Sequence, residues 1–467
     1  MPTTLIRDSQ KRESITRKEL FSTLGVATVY ALRMLGMFLL LPILVLWASA
    51  PGREADKAMA GMGLSAYALT QMLFLIPLGT LSDRLGRKPV IIFGLGLFVA
   101  GALIAARAHT LWGMILGRAL QGSGAVSSAL MALLSDLTRD EVRTRAMAVV
   151  GMGIGVAFAA SLVLGPPLYT ALGMPGIFYL MAALGALAMA WVAWGVPSSP
   201  VRHPALAQGG SFWHGLSEAL RRKTLLRLDF GVMSLHATQM AMWVVVPLLL
   251  VRSGLPLEAH AKVYLPVMAL AFALMLPVVA WAEIKDRIRQ VMLASIVLIA
   301  SVEVLFGVFL DHPFWQRGLL AAYFVGFNVL EAILPSWVSK AAPLEKRGMD
   351  LGVYNTAQSL GIFLGGALGG LFVQWFGERA LFLAAALACL AWWLVAIGIP
   401  KPPAVRTRSL RIASRIQEEE ALRLKEKLLA VPGVVEAAVF AQDGVVLLKV
   451  AKTGLDEQRL LAAIGEV

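Results

Sequence analysis

The sequence predicts an all-α integral membrane protein: twelve transmembrane helices in two six-helix bundles, followed by a small α+β domain. Three observations carry that class. Hydrophobic residues fill 58% of the 467 positions and charged residues only 15%, where soluble domains carry roughly 25% charged; mean hydropathy is +0.73. Windows of about twenty apolar residues, enough to cross a bilayer as a helix, recur along the whole chain. The second half also echoes the first. Pro77-Leu-Gly-Thr-Leu-Ser-Asp-Arg-Leu-Gly-Arg has a counterpart in Pro277-Val-Val-Ala-Trp-Ala-Glu-Ile-Lys-Asp-Arg, which sets Asp83 opposite Glu283 and Arg87 opposite Arg287. Ser135-Asp136 through Arg143 likewise resembles Ser339-Lys340 through Arg347, as expected of parallel six-helix repeats.

Residues 1–20 read as a polar, basic arm with no cleavable apolar core. The first bundle covers 21–196, with helices near 21–48, 58–81, 89–107, 111–137, 143–167 and 174–196. The second covers 226–400, with helices near 226–251, 261–283, 290–310, 314–339, 347–375 and 380–399. Between them, 197–225 is a linker whose stretch Ser211 to Leu220, followed by Arg221-Arg222-Lys223, is expected to form an amphipathic helix lying on the membrane surface. Basic residues gather in the loops after even-numbered helices: Arg84, Arg87 and Lys88; Arg139, Arg143 and Arg145; Arg221, Arg222 and Lys223; Lys285, Arg287 and Arg289; Lys340, Lys346 and Arg347. Lys and Arg mark cytoplasmic loops, so both termini are expected in the cytoplasm and the chain in a bacterial inner membrane.

Residues 401–467 form a tail after Pro400-Lys401-Pro402-Pro403. Its pattern reads as strand 407–412, helix 414–429, a turn at Pro432-Gly433, strand 434–441, an Asp443-Gly444 hairpin, strand 445–451 and helix 456–464. A βαββα order is that of a ferredoxin-like domain. It resembles heavy-metal-associated domains without their Cys-x-x-Cys, so no metal binding is expected.

The net charge of +13 lies in short loop clusters, the pattern of topology determinants facing an anionic leaflet and not of a nucleic-acid surface. The single cysteine, Cys389, excludes an internal disulfide and a cysteine-based metal cluster. There is no Gly-x-x-x-x-Gly-Lys-Ser/Thr phosphate loop, and no nucleophile–base or metal constellation. The chain is therefore expected not to be an enzyme and to use no cofactor. Its expected partners are the bilayer, protons and a small-molecule substrate, and it is expected to act as a monomer.

The stretch Gly79-Thr80-Leu81-Ser82-Asp83-Arg84-Leu85-Gly86-Arg87-Lys88 packs four charges and two glycines between two apolar runs. A carboxylate so close to hydrocarbon is costly unless a cation or a helix N-terminus meets it, so the stretch reads as a tight turn and an electrostatic latch between moving helices. Other polar residues lie inside apolar runs: Arg33, Arg118 with Gln121, His236, Glu303, and Asn328 with Glu331 on one helical face. An intramembrane arginine must face the protein interior. A carboxyl buried in apolar surroundings suits a proton carrier, which makes Glu331 and Glu303 candidates. Asp229 is placed too near the inner boundary to count as buried. Tyr67, Phe74, Met240, Trp243, Phe272, Met275, Tyr323 and Phe327 are candidates for an apolar cavity wall.

The Gly79–Lys88 stretch resembles the signature loop of the major facilitator superfamily. Arg118-Ala-Leu-Gln-Gly-Ser-Gly124 is similar to that family's fourth-helix motif, and Arg33-Met-Leu-Gly36 through Pro42 to the first-helix motif of its drug–proton antiporters. Gly151-x-Gly-x-Gly155 to Gly165-Pro166-Pro167 resembles their fifth-helix motif, without the paired glycines after the proline. With the tail, the whole resembles a drug-exporter-like branch of that family carrying a ferredoxin-like cytoplasmic domain. The resemblance implies that Gly79 lets the second and eleventh helices approach, that Asp83 meets the eleventh helix near Gly348 to Gly352, and that Arg87 pairs with Asp136. It also implies proton transfer at Arg118. The implied function is proton-coupled export of an amphipathic compound by alternating access. Uptake of a polar metabolite by proton symport, or a non-transporting sensor acting through the tail, are the alternatives.

Overall fold

The computed structural model describes residues 15–50, 57–198, 212–411, 417–441, 444–451 and 454–465. Among them ten helices are long and apolar enough to cross a membrane; one of these makes two crossings, and a split pair of shorter helices completes twelve. We number the helices by crossing: α1 (Arg17–Phe38), α2 (Lys57–Leu85) and α3 (Arg87–Arg107). The fourth crossing, α4, is split into Leu111–Ser123 and Ser127–Leu137, each short by itself, and the fifth and sixth form one run, Asp140–Ala190. That run divides into α5 and α6 at Gly173, whose φ of 66° and ψ of 178° are non-helical. The second half holds α7 (Lys223–Arg252), α8 (Ala261–Ile284), α9 (Ile288–Val308), α10 (Pro313–Ala341), α11 (Arg347–Phe376) and α12 (Glu378–Ile397).

Several boundaries differ from expectation for local reasons. The first helix starts at Arg17 because Thr16 and Glu19 form a capping box. It ends at Phe38, ahead of Pro42, and resumes as a short turn at Leu44–Ala48. The turn expected over Gly79–Lys88 shrinks to one residue. The chain stays helical to Leu85, and Gly86, at φ 95° and ψ 152°, reverses it directly into α3. The fourth crossing breaks at Gly124, where a Cβ would strike the Gly94 backbone of α3. Pro166 and Pro167 do not end the fifth helix as expected; both lie inside the run, as proline can in membrane helices whose neighbours re-satisfy the backbone.

The two bundles share one apolar core on the side away from the tail. Leu39, Leu44, Leu64, Phe98, Phe158 and Phe178 of the first bundle join Trp243, Tyr264, Phe324 and Phe327 of the second in a single buried cluster. On the tail side, Val26, Tyr30, Ile91, Leu130, Leu134, Val150 and Val196 form a separate core belonging to the first bundle alone. Backbone contact seals the far side, since a Cβ on Gly61 of α2 would collide with Gly366 O of α11, and one on Gly366 with Ser65 Oγ. At the tail-side end of α11, Gly348 and Gly352 have nothing within 4 Å of a Cβ position. The bundles are closed on the far side and parted on the tail side.

The linker helix, Phe212–Ala219, is pinned to the second bundle. Arg222 donates to both Asp350 carboxylate oxygens of α11 at 2.6 Å and to Glu218 Oε1 at 2.9 Å, and Lys346 also pairs with Glu218. The Lys346 ammonium, and after it Arg222, hold the Glu218 carboxyl below the usual carboxylate range. The first bundle has the same junction with the charges exchanged: Glu19 of α1 accepts from Arg139, just before α5, at 2.7 and 2.9 Å.

The tail contains β1 (Val405–Arg411), α13 (Glu418–Leu429), β2 (Val434–Phe440), β3 (Val445–Ala451) and α14 (Glu457–Gly465). The sheet order is β1-β3-β2, antiparallel throughout, the split βαβ arrangement expected of a ferredoxin-like unit. Gly433 at φ 89° and Gly444 at φ 63° make its two tight turns; Asp443 and Ile412 lie outside the described residues. Leu424, Leu428, Val446, Leu448 and Leu460 form its core. The tail rests on the loop between α10 and α11. Lys449, 5% exposed, donates to Ala342 O at 2.6 Å, Leu344 N donates to Glu436 Oε1 at 2.8 Å, and Lys425 meets Glu345 at 2.8 Å.

Candidate functional site

At the tail-side end of the first bundle, the pairing expected between Arg87 and Asp136 is present at 3.2 Å, and Arg87 Nη1 also donates to Ser82 Oγ at 2.8 Å. Lys88 Nζ donates to Ala193 O at 3.1 Å and Val196 O at 2.8 Å, satisfying carbonyls at the end of the sixth crossing. Arg84 is exposed, and the Asp83 side chain lies outside the described ones. In this form Gly79 faces α4. A Cβ there would sit 2.9 Å from Ser128 Oγ of α4, and the glycines that let α2 and α11 meet are Gly61 and Gly366. The second half has Glu283 and Lys340 at 3.1 Å; Lys340 stands opposite Asp136, but its partner Glu283 is the counterpart of Asp83 and not of Arg87.

Midway through the first bundle, two guanidiniums share one tyrosine. Arg33 of α1 is fully buried and Arg118 of α4 is 2% exposed. Arg33 donates to Ser127 Oγ at 2.7 Å, to Gln71 Oε1 at 3.0 Å and to the Tyr67 hydroxyl. Arg118 Nη1 donates to Gln121 Oε1 at 3.3 Å. Both Cζ atoms lie over the Tyr67 ring, 5.7 and 5.0 Å from its centroid. Gln71 Nε2 reaches across to Ser359 Oγ of α11 at 3.5 Å, which places the cluster at the boundary between bundles.

On the opposite wall, His236 of α7, Glu331 of α10 and Gln358 of α11 converge. Gln358 Nε2 lies 2.9 Å from His236 Nε2 and 3.3 Å from Glu331 Oε1, and the His236 and Glu331 side chains approach to 3.6 Å. His236 Nδ1 is 3.0 Å from Val232 O. Donation there assigns the proton to Nδ1 and leaves Nε2 as the lone pair facing Gln358 and Glu331. Glu331 is half-buried: its side chain is 40% exposed, while Oε2 is buried and has no hydrogen-bond partner among the described residues.

Glu303 is buried, at 1% exposure, and neither carboxyl oxygen has a hydrogen-bond partner. Its electrostatic neighbours are Tyr323 and Cys389 inside the second bundle, so it does not join His236 and Glu331. Asn328 is buried, and its amide nitrogen has no hydrogen-bond partner among the described residues despite the face it shares with Glu331. Asp229 corrects its expected placement: it is 6% exposed, with Oδ1 lacking a partner, because α7 runs buried from its first turns. Of the proposed cavity aromatics, Trp243, Tyr323 and Phe327 are buried while Phe74 is 43% exposed. Gly155 of α5 faces Phe272 of α8 at 3.5 Å, whereas Gly151 faces open space.

Gln71, Ser127 and Gln358 were not identified from the sequence. The signal for Gln358 was present in Asn355-Thr356-Ala357-Gln358, a polar run within an otherwise apolar helix. Gln71, beside Thr70, and Ser127, beside Ser128, become legible only when α2 and α4 are set beside Arg33.

A family model for the Major Facilitator Superfamily matches residues 26–366 and 267–447. The chain is 40% identical over 437 residues, 93% of its length and 95% of the relative's, to the inner membrane transport protein YajR of Escherichia coli. It is 34% identical over 34% of its length, and 40% of the relative's, to the class H tetracycline resistance protein of Pasteurella multocida. Among solved structures, a bacterial homolog of the human lysosomal transporter Spinster in an inward-facing conformation aligns with a TM-score of 0.66 at 13% identity, covering 82% of this chain and 98% of that one. A multi-pass helical protein built from two repeated bundles, with no enzymatic relative among these matches, this chain belongs to the Major Facilitator Superfamily of membrane transporters.

Proposed function

We propose that the chain is a proton-coupled secondary transporter of the bacterial inner membrane, with both termini cytoplasmic, exporting an amphipathic small molecule by alternating access. The observation that carries this reading is the His236–Glu331–Gln358 cluster. It holds an imidazole and the carboxylate of a half-buried side chain at the bundle boundary, opposite Arg33 and Arg118. A proton entering from the open side would be taken up by Glu331 or His236, and neutralising that wall changes its attraction for the two guanidiniums across the boundary. The membrane potential supplies about 2.3 kcal/mol per charge per 100 mV to drive such a cycle. Basic loops on the tail side support the orientation, which makes the parted form inward-facing. Gly79, Asp83, Arg84, Gly86, Arg87, Lys88 and Asp136 then act as the inner-side latch, and a carboxylate at a helix N-terminus, worth roughly 0.3–1 kcal/mol, biases two states without locking either.

A second role falls to the tail. Lys449, Glu436 and Lys425 hold it on the α10–α11 loop, from which it can favour one orientation of α11. Export is tested in everted membrane vesicles energised to an acid interior, with tetracycline as the first of a panel of amphipaths. Addition of a transported compound is expected to release protons, and Glu331→Gln to reduce that release about tenfold or more. Full release in Glu331→Gln and Arg118→Ala would remove both residues from the proton path.

A further inference from the structure

From the paired guanidiniums we infer that the substrate is an amphipathic organic anion, whose carboxylate or sulfonate head binds between Arg33 and Arg118. The inference rests on the transport reading above and names the class of molecule that reading leaves open. Both arginines are at least nine-tenths buried, and each keeps an Nε–H donor with no acceptor. Every partner of their other nitrogens is neutral: Ser127, Gln71, Tyr67 and Gln121. No carboxylate among the described residues pairs with either.

Two cations held in a low-dielectric interior by neutral groups alone are strongly disfavoured, and a bound anion removes much of that penalty. Guanidinium geometry matches planar or forked oxyanions through paired N–H donors. Gln71 and Ser127 are only partly buried and stand where the cluster meets the bundle boundary, which gives the head group its way in. For the apolar body, the boundary is floored by packed aromatics, Phe38 on Phe158 at 5.0 Å and Phe158 on Phe324 at 6.0 Å, in the core the two bundles share. A cationic drug of equal shape would meet two like charges at the head-group position.

The test holds the apolar body constant and varies the charge. Full-length protein in a neutral maltoside detergent is titrated calorimetrically with naphthalene sulfonate, naphthol and naphthyl trimethylammonium. The sulfonate is expected to bind about tenfold or more tighter than naphthol, and the ammonium to bind weakest. Arg33→Gln and Arg118→Gln should each remove that preference while leaving naphthol binding in place. Equal or tighter binding of the ammonium overturns the inference, and this comparison needs only the unaltered protein should either variant fail to fold. Displacement of the sulfonate by phosphatidylglycerol at equal concentration would assign the site to a lipid headgroup and also overturn it. No proton gradient is involved, so loss of proton coupling in vesicles and loss of anion preference here are separate failures.

Discussion

Valine at Gly61 is expected to strip the far-side-closed form from the population and to slow transport by one to two orders of magnitude. The closure is made by backbone against backbone: a Cβ at Gly61 would collide with Gly366 O, and the reciprocal addition at Gly366 with Ser65 Oγ. A carbonyl held in a helix cannot move aside as a flexible side chain can. Overpacking of this kind costs about 1–3 kcal/mol, and each 1.4 kcal/mol is a factor of ten in population. The cost falls on one state only, because the other separates these helices. A far-side cysteine should accordingly become more reactive to an impermeant maleimide in Gly61→Val. Gly96→Val provides the comparison, since nothing lies within 4 Å of a Cβ there. Equal reactivity in the two variants would show that the glycine contact does not set the closure.

Methionine at Arg222 is expected to destabilise the protein by about 3–5 kcal/mol, the cost of leaving one member of a buried ion pair alone. The Asp350 side chain has no exposed surface and takes both of its strong bonds from Arg222. Adding Asp350→Leu to Arg222→Met should restore most of the loss, because the buried charge is then gone as well. Thermal unfolding in detergent, followed by tryptophan fluorescence, measures both. A loss below about 1 kcal/mol for Arg222→Met would mean that the pair behaves like an exposed one. By contrast, Arg379 and Asp311, exposed at 63% and 68%, hold the far-side loops with a pair of small effect.

The architecture was legible because membrane helices are written in length and hydropathy, and twelve crossings appear where the apolar windows lie. What hydropathy does not encode is where a helix breaks. Pro166-Pro167 read as an end and is not one, while Gly86, Gly124 and Gly173 each make a break that depends on which backbone lies alongside. The Arg87–Asp136 pair was readable because motif and repeat spacing both named it. The role of Gly79 was not, since a glycine announces a close approach without saying to what. Glu331, half-buried, and Asp229, buried, depart from expectation for a similar reason. Position along a helix gives depth, but facing is set by the neighbouring helix, and only the assembled bundles show that Glu331 keeps part of its side chain exposed while Asp229 is buried. The anion site was half visible: two intramembrane arginines stand out in any sequence, whereas their lack of an acidic partner among the described residues is a property of the fold.

The rocking of the two bundles about Gly61 and Gly366 is tested most directly by spin-label distances on a Cys389→Ala background. One pair spans the tail-side ends of α2 and α11, at Leu85 and Gly348; the other spans their far-side ends, at Lys57 and Trp375. Rocking predicts two populations in each pair, changing reciprocally as the pH is lowered, so that the tail-side distance shortens as the far-side distance lengthens. A single unchanging distance at both ends, or two distances that lengthen together, would contradict it.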